Sequence, residues 1–291
     1  MHITDVEFHQ AASLDEALDL KQRFGAEAHV LAGGTDLLVE LATGRTTTKH
    51  VISLSALDGL KQMAVLDDGS LAIGSLVTIA QLCNSPLISG KFTPIRETTI
   101  QMATPQIRNM ATIGGNIAGA VPCADTPPIL ICMGATVGIQ SADGHRTVPL
   151  REMFAGPRQT ALKPNEIITS VTVPAQPDNS AAAYERFALR DGNAIPVAGV
   201  AGSITVGDAK QITQACITLA SVAPIPRVVD DAGQDLVGKT IDEAVVDHIA
   251  EMCSNNAQPI CDVRGSDDYR RRLVTVLTRR CLYRLRDMIG N

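Results

Sequence analysis

The stretch Ala28-His29-Val30-Leu31-Ala32-Gly33-Gly34-Thr35-Asp36-Leu37 reads in order as a short strand, a glycine turn and the opening of a helix. Two adjacent glycines allow positive φ and close approach of backbone to a ligand. The helix start that follows offers unpaired N–H donors, a combination that suits a pyrophosphate. A tight turn with no ligand is the competing reading of this motif alone. Further along, Thr112-Ile113-Gly114-Gly115-Asn116 repeats the device, inside an uncharged, glycine-rich run (111–120) that suits close backbone approach better than a helix. Two such loops can hold a dinucleotide along its pyrophosphate without a Rossmann fingerprint. The Thr35 and Thr112 hydroxyls and the Asn116 amide would be neutral donors, and Asp125 would accept from ligand hydroxyls. Asp125 also stands where a helix cap belongs, before Thr126-Pro127-Pro128.

Outward from these loops, Ser13 and Glu16 form a capping-box pair for a first helix whose apolar face holds Leu14, Ala17, Leu18 and Phe24, with Gly25 as its stop. A strand is expected over 50–54, a hairpin around Asp67-Asp68-Gly69, a second capping box at Thr78 and Gln81, and a helix from Pro94 towards Ala103. Strands are expected over 135–140, 167–173, 183–189, 197–206 and 214–221. Four of these follow one another with no helix between, which indicates α+β rather than a regular parallel α/β fold. From Ile241 the pattern is helical, and Arg270, Arg271, Arg272, Arg279, Arg280, Arg284 and Arg286 read as a solvated or docking face.

The chain has 291 residues, 45% hydrophobic and 19% charged, which is enough for two domains and excludes a disordered chain. A net charge of −6, no Trp, 3 Tyr and 5 Phe argue against a nucleic-acid partner. No stretch approaches the length of a membrane span, and Met1-His2-Ile3-Thr4-Asp5 lacks the basic and apolar regions of a leader, so a cytoplasmic location is expected, without a membrane partner. The 7 cysteines show neither zinc nor iron–sulfur spacing, and the 6 histidines are scattered, so no metal site is expected. Gly233-Gln234-Asp235-Leu236-Val237-Gly238-Lys239-Thr240 fits GxxxxGK[ST], the alternative of a P-loop nucleotide-binding protein. Its inner positions carry Asp235, Leu236 and Val237 where a phosphate cradle wants small uncharged residues, so Thr240 with Glu243 reads instead as a capping box.

Taken together, the two glycine loops, Ala124-Asp125-Thr126-Pro127-Pro128, Gln106-Ile107-Arg108-Asn109, Gly156-Pro157-Arg158, 162–168, 186–195 and the helix after Tyr269 resemble the FAD-binding medium subunit of molybdenum hydroxylases. This is the xanthine dehydrogenase and carbon-monoxide dehydrogenase family, and the resemblance spans essentially the whole chain in order. It implies a two-subdomain FAD-binding domain over 1–176, followed over 177–291 by a small antiparallel sheet with helices. By position, Leu31, Ala32, Gly33, Gly34, Thr35, Asp36 and Leu37 with Thr112, Gly114, Gly115 and Asn116 inherit the pyrophosphate contacts. Asp125 inherits a contact to ribityl or ribose hydroxyls, Met102 a place beside a ring, and Ile168 an aliphatic contact on the isoalloxazine. Arg186 falls where some relatives carry a lysine near the flavin carbonyl edge, a departure that leaves a surface arginine as its other reading.

The resemblance further implies an oxidoreductase subunit that relays electrons through FAD to NAD+ or another acceptor. Its partners would be a large subunit with the molybdopterin cofactor and a small one with two [2Fe–2S] clusters. The substrate class implied is a purine, another N-heteroaromatic or an aldehyde. A non-redox FAD-binding module on the same fold is the alternative from a different class.

Overall fold

Three short parallel strands, β1 (Glu7–Gln10), β2 (Ala28–Leu31) and β3 (His50–Ser53), pair in the order β1-β3-β2. The computed structural model describes residues 6–208 and 210–290, so Met1-His2-Ile3-Thr4-Asp5, read above as no leader, lies outside the described residues. Helix α1 (Leu14–Phe24) connects β1 to β2. Ser13 accepts from the Glu16 N–H at its start, and Gly25 at φ +51° ends it. It buries Ala17 and Leu18 against Ile52 and Leu54. Helix α2 (Leu37–Thr43) connects β2 to β3 and stops at left-handed Gly44.

The chain then forms the hairpin β4 (Met63–Val65) and β5 (Leu71–Gly74), which begins a five-stranded antiparallel sheet. Between β5 and the next strand of this sheet lie five short helices: α3 (Ile79–Asn84), α4 (Thr93–Ile100), α5 (Pro105–Met110), α6 (Ile113–Ala118) and α7 (Thr126–Cys132). The sheet continues with β6 (Thr136–Ser141) and β7 (Gly144–Pro149). After the small hairpin of β8 (Phe154–Gly156) and β9 (Gln159–Thr160), β10 (Ile167–Val173) enters its centre, in the order β4-β5-β10-β6-β7.

A four-stranded antiparallel sheet follows, with β11 (Ser180–Ala188), β12 (Pro196–Val206), β13 (Ile212–Ala220) and β14 (Arg227–Val228) in sequential order. The first half of β11 and most of β12 are buried on both faces. Ala182 and Tyr184 enter the central core with α7, whereas Ala181 and Ala183 enter the carboxy-terminal core with α8 (Asp230–Leu236), α9 (Glu243–Asn256) and α10 (Asp267–Gly290). Gly202 sets how closely α10 lies on the sheet, since an added Cβ would stand 2.9 Å from Cys281 Sγ. The expectation of an α+β fold ending in a small antiparallel sheet with helices is met. Among the described residues no helix is long and apolar enough to cross a membrane.

Several expectations need correction. The run 111–120 contains helix α6, because Thr112 caps it by accepting from the Gly115 N–H and because Ile113 and Gly114 donate to the carbonyls of Val77 and Ser75. The helix from Pro94 ends at Ile100. The P-loop reading fails. Gly233 lies inside α8, where an added Cβ would meet the Ala215 carbonyl at 2.8 Å, and Lys239 is tied to Asp235 at 2.6 Å. Asp242, not Thr240, caps α9. The arginine face is only partly solvated. Arg270 is 2% exposed and bonds the carbonyls of Val197 and Ser221, while Arg284 reaches Glu97 and Glu185. Two of the scattered histidines, His9 and His50, meet across β1 and β3.

Candidate functional site

The turn between β2 and α2 is an array of free donors. The backbone N–H groups of Gly33, Gly34, Thr35 and Asp36 have no acceptor among the described residues. Gly34, at φ +72°, turns the chain so that these groups follow one another, an arrangement that binds anions. Gly33 is required for a different reason. A Cβ there would stand 1.8 Å from the Met110 carbonyl oxygen, so the first loop rests on the chain just before Thr112. The two loops are therefore contiguous, although some eighty residues separate them in sequence.

Helix α6 contributes space more than donors. Ile113, Gly114 and Gly115 already donate to Val77 O, Ser75 O and Thr112 Oγ1. Gly114 is fixed by packing, its would-be Cβ lying 2.6 Å from Ser75 Cβ, whereas Gly115 would meet only Thr112 Oγ1 at 3.0 Å. Asn116 Oδ1 accepts from the Thr126 hydroxyl at 2.5 Å, which turns its amide nitrogen into the available donor.

Beside the loops is a small apolar hollow of about 80 Å³, lined among others by Ala32, Gly114, Gly115 and Ile168. Four expected site residues, distant in sequence, thus share one wall. The volume admits part of a ligand, and the remainder of a dinucleotide would lie along the open loops. Ser75 also lines it and carried no signal in the sequence; so do Leu162 and Glu166, which fall in the run 162–168 that carries the resemblance but have no role of their own there. The Ser75 hydroxyl is buried without a hydrogen-bond partner, as is His29 Nδ1 on β2. Glu166 is held by a bidentate contact from Arg146, which keeps its carboxyl below the usual range.

Asp125 stands at the start of α7 but makes no side-chain cap. Its Oδ1 accepts from Tyr184 Oη at 2.9 Å and its Oδ2 from Arg186 Nη1 at 3.0 Å. Burial pushes its carboxyl up to about 6, against the pull of Arg186 and Tyr184. Arg186 is a buried tie rather than a surface arginine, and it also donates to the carbonyls of Gln101 and Ala194. Met102 is buried in the central core and accepts through its carbonyl from Arg108. Leu31 and Leu37 flank the first loop, half-buried. The contacts Gly33–Met110 and Asn116–Thr126, followed by the pair Asp125–Arg186, connect the expected residues into one continuous region.

A donor loop that rests on a second glycine loop, with an apolar hollow beside them, defines a dinucleotide-binding protein. The particular kind follows from comparison with known proteins. Residues 4–176 match the FAD binding domain in molybdopterin dehydrogenase, and residues 182–285 match the CO dehydrogenase flavoprotein C-terminal domain. The chain belongs to this family of FAD-binding subunits and is an oxidoreductase subunit.

It is 32% identical over 286 residues to the carbon monoxide dehydrogenase medium chain of Afipia carboxidovorans, covering 98% of each chain. Against a putative xanthine dehydrogenase FAD-binding subunit of Escherichia coli it is 29% identical, covering 94% of each. The reconstituted CO dehydrogenase from Oligotropha carboxidovorans superposes with a TM-score of 0.94 at 30% identity, over 99% of both chains. Quinoline 2-oxidoreductase from Pseudomonas putida gives 0.92 at 25% identity, over 100% of each.

Proposed function

We propose that this chain is the flavin-carrying electron relay of a molybdenum-containing hydroxylase complex, with the cofactor held by the two glycine loops. The free N–H run of Gly33–Asp36 against Met110 carries this reading, because it provides anion donors at a built junction of two loops. Gly33, Gly34, Thr35 and Asp36 bind the pyrophosphate through backbone, flanked by Leu31, Ala32 and Leu37, while Asn116 donates through its amide nitrogen. Thr112 holds α6 in place, and Gly114 and Gly115 keep side chains out of the phosphate path. Ala32 and Ile168 exclude water from one face of the ring system. Asp125, Arg186 and Tyr184 form one bonded group at the far edge, where Arg186 would stand toward the flavin's carbonyl edge. Met102 packs behind that edge.

FAD, when bound, supplies the chemistry that joins one-electron to two-electron transfer. The partners in this reading are a large molybdopterin subunit and a small subunit with two [2Fe–2S] clusters, and the acceptor is NAD+ or another external oxidant. The substrate class is a purine, another N-heteroaromatic or an aldehyde, recognised in the large subunit.

The test is reductive titration. The purified chain should carry one FAD and no iron or molybdenum, and it should oxidise no such substrate alone. Substrate should bleach the flavin only in the assembled complex. A flavin that stays oxidised there would support the non-redox module instead.

A further inference from the structure

Strand pairing places three metal-binding side chains together at the outer edge of the amino-terminal sheet. Glu7 and His9 are two residues apart on β1 and so project from the same face. The parallel register sets Glu7 opposite His50 on β3. The ligand atoms gather closely: His9 Nε2 to His50 Nδ1 is 3.1 Å, His50 Nδ1 to one Glu7 oxygen, Oε2, is 3.3 Å, and His9 Nε2 to the other, Oε1, is 3.8 Å, so one ligand atom from each residue lies within 4.8 Å of the other two. For tetrahedral zinc with bonds of about 2.0–2.1 Å, neighbouring ligand atoms stand roughly 3.3 Å apart. The two imidazole nitrogens, and His50 Nδ1 with Glu7 Oε2, already stand close to this spacing, and rotation of the exposed carboxylate would complete the set.

Phe24, at the end of α1, stacks on His50 with centroids 3.7 Å apart and on His9 at 5.1 Å. The two histidine side chains are 15% and 16% exposed, while Glu7 is 66% exposed, so an ion and a water ligand have access from the carboxylate side. The two facing ring nitrogens, one a donor and the other an acceptor in the hydrogen bond between them, are the atoms a divalent metal would take as ligands. The nearby cations have partners elsewhere. Lys49 is tied to Glu27 at 2.6 Å, and Arg23 lies over the Phe24 ring.

We infer that Glu7, His9 and His50 bind a divalent first-row transition metal, zinc being the representative, which staples edge strand β1 to β3. Two imidazoles and one carboxylate select zinc, cobalt, nickel or copper over magnesium or calcium. The site shares no residue with the flavin region, so its test stands apart from that reading.

The purified full-length chain, stripped with a chelator, is titrated with Zn2+ by calorimetry and with Co2+ by visible absorption. The expected result is one saturable equivalent per chain, a tetrahedral-type cobalt spectrum, no competition by Mg2+, and an unfolding temperature raised by zinc. His9→Gln and His50→Gln should each abolish the stoichiometric site and the thermal response. Should either variant fold poorly, Glu7→Gln leaves both rings and the strand pairing intact. It should weaken zinc binding on the order of tenfold or more, the scale seen even for a lost outer-shell partner. No saturable binding by the native chain, or binding unchanged in all three variants, overturns the inference.

Discussion

Arg186 Nη1 lies 3.0 Å from Asp125 Oδ2, with only 5% and 7% of the two side chains exposed. The pair joins β11 to the start of α7, and Tyr184, two residues before Arg186, closes it from the other oxygen. Because burial raises the Asp125 carboxyl to about 6, its effect on stability has a defined sign. An acid whose folded pKa lies above its unfolded value contributes fully below the unfolded value, near pH 4, and loses that contribution as pH rises through about 6. The native protein should therefore lose stability across this window, and Asp125→Asn should flatten that segment of the curve. Denaturant unfolding of the apoprotein at several pH values checks it.

Removing the cation should make the same carboxylate a liability. Arg186→Met is expected to destabilise by about 3–5 kcal/mol above pH 7, the cost of a buried charge left without its partner. Near pH 5, where Asp125 takes up a proton, the deficit should shrink. A deficit that is the same at both pH values would mean that Arg186 acts through its carbonyl contacts alone.

The glycines of the two loops should separate into structural and ligand-facing kinds. Gly33→Ala drives a methyl into the Met110 carbonyl and should cost at least the roughly 1–3 kcal/mol of an overpacked core, with or without cofactor. Gly115→Ala meets only the capping Thr112 hydroxyl, at 3.0 Å, and the gain in helix propensity of about 1 kcal/mol offsets the small shift this requires. Its apoprotein stability should stay near native while FAD content falls. Full flavin occupancy in Gly115→Ala would remove α6 from the cofactor path.

Where the sequence was readable, the signal was local. Ser13 with Glu16 and Thr78 with Gln81 cap their helices as the spacing indicates, and the strand–glycine–helix order at Ala28–Leu37 is present. Where it was not, distant backbone decides. Helix α6 contains two glycines, each unfavourable by about 1 kcal/mol, and forms because Val77 and Ser75 accept its first N–H groups. Ser75 could not be picked out as a site residue for the same reason, since only the fold brings the residue after β5 to Gly114. His9 and His50 are 41 residues apart and meet only through parallel pairing. Asp125 offered a ligand contact or a helix cap, and a partner 61 residues away replaced the cap.

The arginines of α10 divide on the same principle. Arg270 is buried, with Nη2 on Asp262 at 2.7 Å and Nη1 on two carbonyls, whereas Arg279 meets Asp247 at the surface. Arg270→Met should cost about 3–5 kcal/mol. Arg279→Gln should cost at most about 1 kcal/mol, and less in high salt. Arg264 and Arg270 hold the Asp262 carboxyl well below the usual range, so its contribution is present above about pH 4 and lost as pH falls further. Arg270→Met should therefore also weaken the acid sensitivity of unfolding.

Ser75 gives a test in which stability and binding move in opposite directions. Its hydroxyl is buried without a partner on the wall of the hollow, while its backbone carbonyl accepts from Gly114. A buried hydroxyl with no hydrogen bond costs about 1–3 kcal/mol, so Ser75→Ala, which keeps the Cβ and the backbone contact, should stabilise the apoprotein by roughly 1 kcal/mol. If the hydroxyl is unpaired because bound flavin completes it, the same variant should bind FAD more weakly, by an amount of similar size. The extra stability of the variant would then vanish once FAD is saturating. Unfolding curves with and without added FAD, for native protein and Ser75→Ala, give both quantities. Equal stabilisation in the two states would show that the cofactor does not reach Ser75, and would confine it to the wall shared by Gly114 and Ile168.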